Sequence, residues 1–101
     1  MYKPSETFQS WAEEDKPREK LILQGRTSLS DSELVAILLG SGTTELSAVG
    51  LANQILSSVH GDLHLLSKLS LKELTQFKGV GPAKAITIIA AAELGRRRKE
   101  S

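Results

Sequence analysis

"FKGVGPAK", residues Phe77–Lys84, is the stretch whose reading decides the fold. Two glycines bracket a valine, a proline follows, and a lysine stands on each side. Gly79 is free to adopt a positive φ, and Gly81 leaves the backbone open to a close neighbour because no Cβ stands in the way. Pro82 suits the first position of a helix, where its missing N–H costs no hydrogen bond. The stretch therefore reads as a tight hairpin that opens a helix. Val80, between the glycines, is expected to point inward and lock the hairpin to the core. The N–H groups of Ala83, Lys84 and the hairpin then converge at a helix N-terminus, which carries about half a positive charge. Phosphate oxygens are natural ligands for such an end. Lys78 lies in the loop and Lys84 near the helix start. The candidate phosphate-binding residues are thus Lys78, Gly79, Val80, Gly81, Ala83 and Lys84. The plainer alternative is a corner and nothing more.

Working outward, the chain punctuates itself with helix signals. "DKPREKLILQG" has a proline near a start and Gly25 as a stop, giving a helix over roughly 17–24. Ser30 and Glu33 form a capping box that opens "DSELVAILLG", with Gly40 as its end. Ser47 caps a helix running to about Val59, stopped by Gly61. Asp62 caps a short helix in "LHLLSK". Ser70 and Glu73 form a second capping box over "LKELTQ". The last helix runs from Pro82 to about Arg97. No segment alternates with period two over the length of a strand. The expected fold is all-α, a compact bundle of about six short helices with short connections.

Ser30, Glu33 and Leu34 recur forty residues on as Ser70, Glu73 and Leu74. Each set leads to a Gly-x-Gly, in "LLGSG" at Leu38–Gly42 and in "FKGVG" at Phe77–Gly81. Two tandem units of helix, glycine hairpin and helix describe this economically. The first hairpin, "GSGTTELS", is longer and has no lysine, so it reads as a degenerate, mainly structural copy. Gly40, Gly42 and Thr43 are secondary candidates for phosphate contact, as are Arg96, Arg97 and Arg98 at the other end of the last helix. The arginines suit a helix C-terminus by charge alone.

With 101 residues the chain suffices for one domain with one modest core. Residues 1–15 read as a polar N-terminal arm, 16–98 as the domain, and 99–101 as the start of a linker. There is no cysteine, which removes disulfides and thiolate metal sites. No apolar run reaches the ~18 residues of a spanning helix, and no secretory signal is visible, so a cytoplasmic location is the default. The net charge of +1 hides an asymmetry. Residues 1–67 carry five Lys/Arg against nine Asp/Glu, a net of −4; residues 68–99 carry eight against two, a net of +6. A polyanion would be drawn to the C-terminal third, and the plainer alternative is a solvated basic face.

Other residues read more plainly. Trp11 anchors the arm to the bundle rather than stacking on a base. Arg18 and Lys20 sit among Glu13, Glu14, Asp15 and Glu19 as solvated ion pairs. "AITIIAAAEL" is core. His60 and His64 lie four apart, but Gly61 and Asp62 break the helix between them, so no metal site and no cofactor is expected.

The run Leu74, Phe77, Gly79-Val80-Gly81-Pro82-Ala83-Lys84-Ala85 resembles the helix-hairpin-helix motif, an element that clamps DNA backbone phosphates without reading sequence. "KPREKLILQG", "LSDSELVAILLGSGT", "LANQIL", "LTQFKGVGPAKA" and "AAAELGRRR" together resemble the N-terminal domain of the bacterial RadC-type DNA repair protein family (UPF0758-like). The resemblance covers nearly the whole chain from about Lys16. It implies a C-terminal JAB/MPN-type domain, metalloprotease-like, with a His-x-His and Ser/Asp zinc signature that this sequence does not contain.

The expected function is therefore a DNA-binding module for duplex or branched DNA, a targeting domain and not an enzyme. The alternative is a protein-interaction or dimerisation module, which an exposed apolar patch would favour. A helix-hairpin-helix glycosylase would need a downstream catalytic aspartate, and no Asp follows Asp62.

Overall fold

The computed structural model describes residues 15–100, with side chains as far as Arg98. Expectations for the arm, including Trp11, lie outside these residues. Six α-helices occur in order: α1 (Lys16–Gln24), α2 (Asp31–Leu39), α3 (Ala48–Ser58), α4 (Leu63–Ser67), α5 (Leu71–Leu74) and α6 (Pro82–Glu100). A 3-10 turn at Arg26–Ser28 joins the first two. There is no strand among the described residues. The last helix runs to Glu100, three residues beyond its expected end at Arg97.

The helix boundaries are set by local chemistry. Both capping boxes form: Ser30 Oγ accepts from the Glu33 N–H while Glu33 accepts from the Ser30 N–H, and Ser70 and Glu73 repeat the arrangement. These bonds satisfy amide groups that the first turn of a helix otherwise leaves unpaired. They also hold both carboxyls below their usual value of 4.5, chiefly through the backbone bond to Ser30 or Ser70, with Lys20 assisting at Glu33. Ser47 caps α3 by accepting from Gly50, and Asp62 caps α4 by accepting from His64 and Leu65. α3 ends when the Gly61 N–H reaches the Leu56 carbonyl and the His60 N–H reaches that of Ser57. His60 holds the left-handed conformation at this cap, with φ 56°, a position glycine more often fills. Its role is thus a turn, and no cluster able to hold a metal occurs among the described residues.

The core is built around α3. Ala48, Leu51, Ala52, Ile55 and Leu56 recur at helical spacing and are all buried. α2 supplies Val35, Ala36 and Leu39, α5 supplies Leu74, and α6 supplies Ala85 and Ile88. Leu51, Ile55 and Leu74 are wholly enclosed, each contributing roughly 1.5–3 kcal/mol relative to exposure. Two helix–loop–helix units result, α2 to α3 and α5 to α6, packed so that α2 contacts both α3 and α6.

Two expectations about particular side chains need correction. Glu19, expected among solvated ion pairs, is fully buried, and neither carboxylate oxygen has a hydrogen-bond partner among the described residues. Arg18 does pair with Asp15 at 3.0 Å, whereas Lys20 crosses to Glu33 on α2 at 3.1 Å. "AITIIAAAEL" is core on one side only: Ile86 and Leu94 remain 56% and 71% exposed. Core residues pack on one face of α6, and the charge at its end does not extend back to cover the other.

Candidate nucleic-acid interface

The second glycine loop, residues 75–81, is formed as its sequence implies. Gly79 has φ 93°. Val80 is buried and its N–H donates to the Phe77 carbonyl, which fastens the loop to the core. Gly81, Pro82 and Ala83 are exposed. A Cβ built at Gly81 would meet nothing within 4 Å, and its φ is not positive. This glycine therefore serves neither strain nor internal packing. α6 starts immediately after it, and the Ala85 N–H bonds to the Gly81 carbonyl. The amides of Ala83 and Lys84 precede that first bond and have no acceptor among the described residues. The loop thus presents an open backbone surface at the N-terminus of a nineteen-residue helix.

The two lysines do not stand free above it. Lys84 Nζ donates to the Ser41 carbonyl at 2.9 Å and to its hydroxyl at 3.0 Å. Lys78 Nζ pairs with Glu45 at 3.1 Å, both side chains being largely exposed. Ser41 and Glu45 belong to the first glycine loop, so each lysine bridges the two. Gly79 completes the junction: a Cβ there would lie 2.3 Å from the Thr43 methyl carbon. The two loops pack as one edge of the domain, which no spacing within either loop announces.

Within the first loop, Thr43 closes the chain on itself. Thr43 Oγ1 accepts from the amides of Glu45 and Leu46, and the Thr43 N–H donates to the Leu46 carbonyl at 2.7 Å. A Cβ at Gly42 would lie 2.0 Å from that same carbonyl oxygen, so glycine is required there by the chain's own return. Gly40 ends α2 with φ 81° and donates to the Ala36 carbonyl. Gly40, Gly42 and Thr43 are thus each accounted for by loop geometry.

At the far end of α6, Glu93 accepts from both Arg96 and Arg97, at 2.8–3.0 Å. The two guanidinium groups hold its carboxyl down to about 2. Arg96–Arg98 lie at the helix end opposite the loops, so the structure does not bring them together with Lys78 and Lys84. Sequence reasoning missed Ser41 and Glu45, which position both lysines; no motif marks them. No described helix is long and apolar enough to cross a membrane.

Residues 8–86 match the family described as UPF0758 N-terminal. The chain is 54% identical over 92 residues to a UPF0758 protein of Flavobacterium johnsoniae, covering 91% of this chain and 40% of that one. It is 48% identical over 92 residues to a UPF0758 protein of Porphyromonas gingivalis, covering 90% and 40%. It is 52% identical over 82 residues to one of Syntrophomonas wolfei, covering 81% and 35%. No solved structure matches the chain. The chain spans 35–40% of the length of these relatives, and it belongs to the UPF0758 N-terminal family.

Proposed function

We propose that this domain binds the phosphate backbone of duplex or branched DNA through the loop at 78–84, without reading sequence, as a helix-hairpin-helix. One observation carries the reading: the open backbone at Gly81, followed by amides on Ala83 and Lys84 that have no acceptor among the described residues, at a helix N-terminus. Exposed glycine at such an end admits an anion to within hydrogen-bonding distance of the backbone. Lys78 and Lys84 supply positive charge from the rim while also joining the two loops. Arg96–Arg98 form a second, more distant patch. In the longer relatives the domain would place the rest of the chain on nucleic acid, and it needs no catalytic group of its own to do so.

Gly81→Val is the cleanest test, because its φ is not positive and a Cβ there meets no described atom within 4 Å. The fold should persist by circular dichroism. Affinity for labelled duplex should fall at least tenfold at every sequence tried. Wild-type binding is expected in the non-specific range of about 10⁻⁴–10⁻⁶ M, with log K falling against log salt at a slope of roughly −3 to −4. Arg26→Ala removes one cation from the 3-10 turn between α1 and α2, away from the loop, and serves as the charge control. If Gly81→Val binds like wild type, or falls no further than Arg26→Ala, the loop is only a corner.

The protein-interaction reading is favoured by a separate observation, the exposure of Leu34, Leu63, Ile86 and Leu94. Of these, Leu34 and Leu63 line one groove, and exposed apolar surface gathered in this way marks association. Partner binding through it would be insensitive to salt, which separates it from phosphate contact.

A further inference from the structure

The core leaves an apolar groove open beside α6. Helices α2, α4 and α6 enclose about 430 Å³ there. Leu34 and Leu63 line it while keeping 38% and 51% of their surface exposed. Ile88, Ala91, Ala92 and Gly95 form the α6 side. The three small residues recess that side, which gives the concave shape suited to the apolar face of an incoming segment.

We propose that this groove seats an apolar segment from the part of the longer relatives that lies beyond this domain. The matched region is N-terminal by the family's own description and occupies about 40% of those chains. α6 is its last element, and Gly95 lies one helical turn or so before Glu100. In a relative, the segment C-terminal to α6 is therefore tethered beside the groove. A short tether raises the effective concentration to the millimolar range. A contact below the ~800 Å² per partner of a standard interface then suffices. A second copy has no such tether.

Because the sequence has no cysteine, Leu63→Cys places a single reporter thiol on the groove, and Ser57→Cys on the exposed side of α3 gives a reference. Each is labelled in the 101-residue chain and in a long chain in which these residues replace the matched region of the Flavobacterium johnsoniae relative. Labelled peptides are read by mass spectrometry. The Leu63→Cys rate should fall at least tenfold in the long chain, with Ser57→Cys unchanged. Equal Leu63→Cys rates in both chains overturn the proposal. Protection that appears in the short chain and grows with its concentration also overturns it, by placing a second copy there. Should the composite chain fail to fold, hydrogen exchange on the unmodified relative decides: the helix matching α4 must exchange more slowly in the full chain than in its excised N-terminal domain, and equal exchange refutes the proposal.

Discussion

The two glycine loops share a pattern and differ in what their glycines are for. In the first, Gly42 is enclosed by its own backbone, and Thr43 turns its hydroxyl into the loop. In the second, Gly79 makes room for the Thr43 methyl group, while Gly81 faces open space. A Gly-x-Gly is thus three different solutions: chain return, contact between elements, and an accessible backbone. The last is the one that suits a ligand, and the lesson is that a glycine's surroundings, not its place in a motif, indicate its role.

Substitution at each glycine should separate these roles, beginning with the most costly. Gly42→Ala forces a Cβ onto the Leu46 carbonyl and the Ser47 backbone. Backbone cannot yield as a flexible side chain can, so a loss of about 3 kcal/mol or more is expected by urea unfolding. A loss below about 1 kcal/mol would mean that the loop relaxes freely and that the contrast between the loops is overstated.

Gly79→Ala is expected to cost about 1–3 kcal/mol, from a positive φ and from contact with Thr43. Thr43→Ser keeps the hydroxyl and removes the methyl. In that background the cost of Gly79→Ala should shrink, giving a measurable coupling between the loops. Strict additivity in the double-mutant cycle would refute the direct contact.

The caps provide the opposite test, because there the two units should behave alike. Ser30→Ala and Ser70→Ala should each destabilise the fold by about 1 kcal/mol. Glu33 and Glu73 both titrate lower in the folded chain than their ordinary 4.5. Their contribution is therefore complete above about pH 4.5 and is lost as the pH falls toward the folded-state values. Urea midpoints between pH 6 and pH 3 should decline, and Ser30→Ala and Ser70→Ala should each flatten that decline. A pH-independent midpoint would count against both boxes.

The smallest effect on stability is expected at Gly81→Ala, about 0.5 kcal/mol or less, since the added methyl meets nothing. Equilibrium unfolding checks this directly, and a loss above about 1 kcal/mol would show that Gly81 has the same structural role as its counterparts.

Much of the fold was legible because helix signals act over two to four residues. The capping boxes at Ser30 and Ser70, the stops at Gly25 and Gly40, and the caps at Ser47 and Asp62 are each complete within such a span. Val80 was readable as an inward residue because glycines isolate it between two exposed positions. The 3-10 turn at Arg26–Ser28 was not, since Ser28 completes it by reaching back to the Gly25 carbonyl, a bond without a strong composition signal.

The sequence by itself determined where helices start and stop, that no strand competes with them, and which loop exposes backbone at a helix N-terminus. Tertiary structure alone decided the partners of the two lysines. Lys84 finds Ser41 across 43 residues and Lys78 finds Glu45 across 33. It also buried Glu19 and left the outer side of α6 apolar and exposed. The physical reason is range. Caps and turns are closed by neighbours whose spacing is written in the chain, whereas these contacts depend on how α2, α3 and α6 cross, which the whole core sets at once.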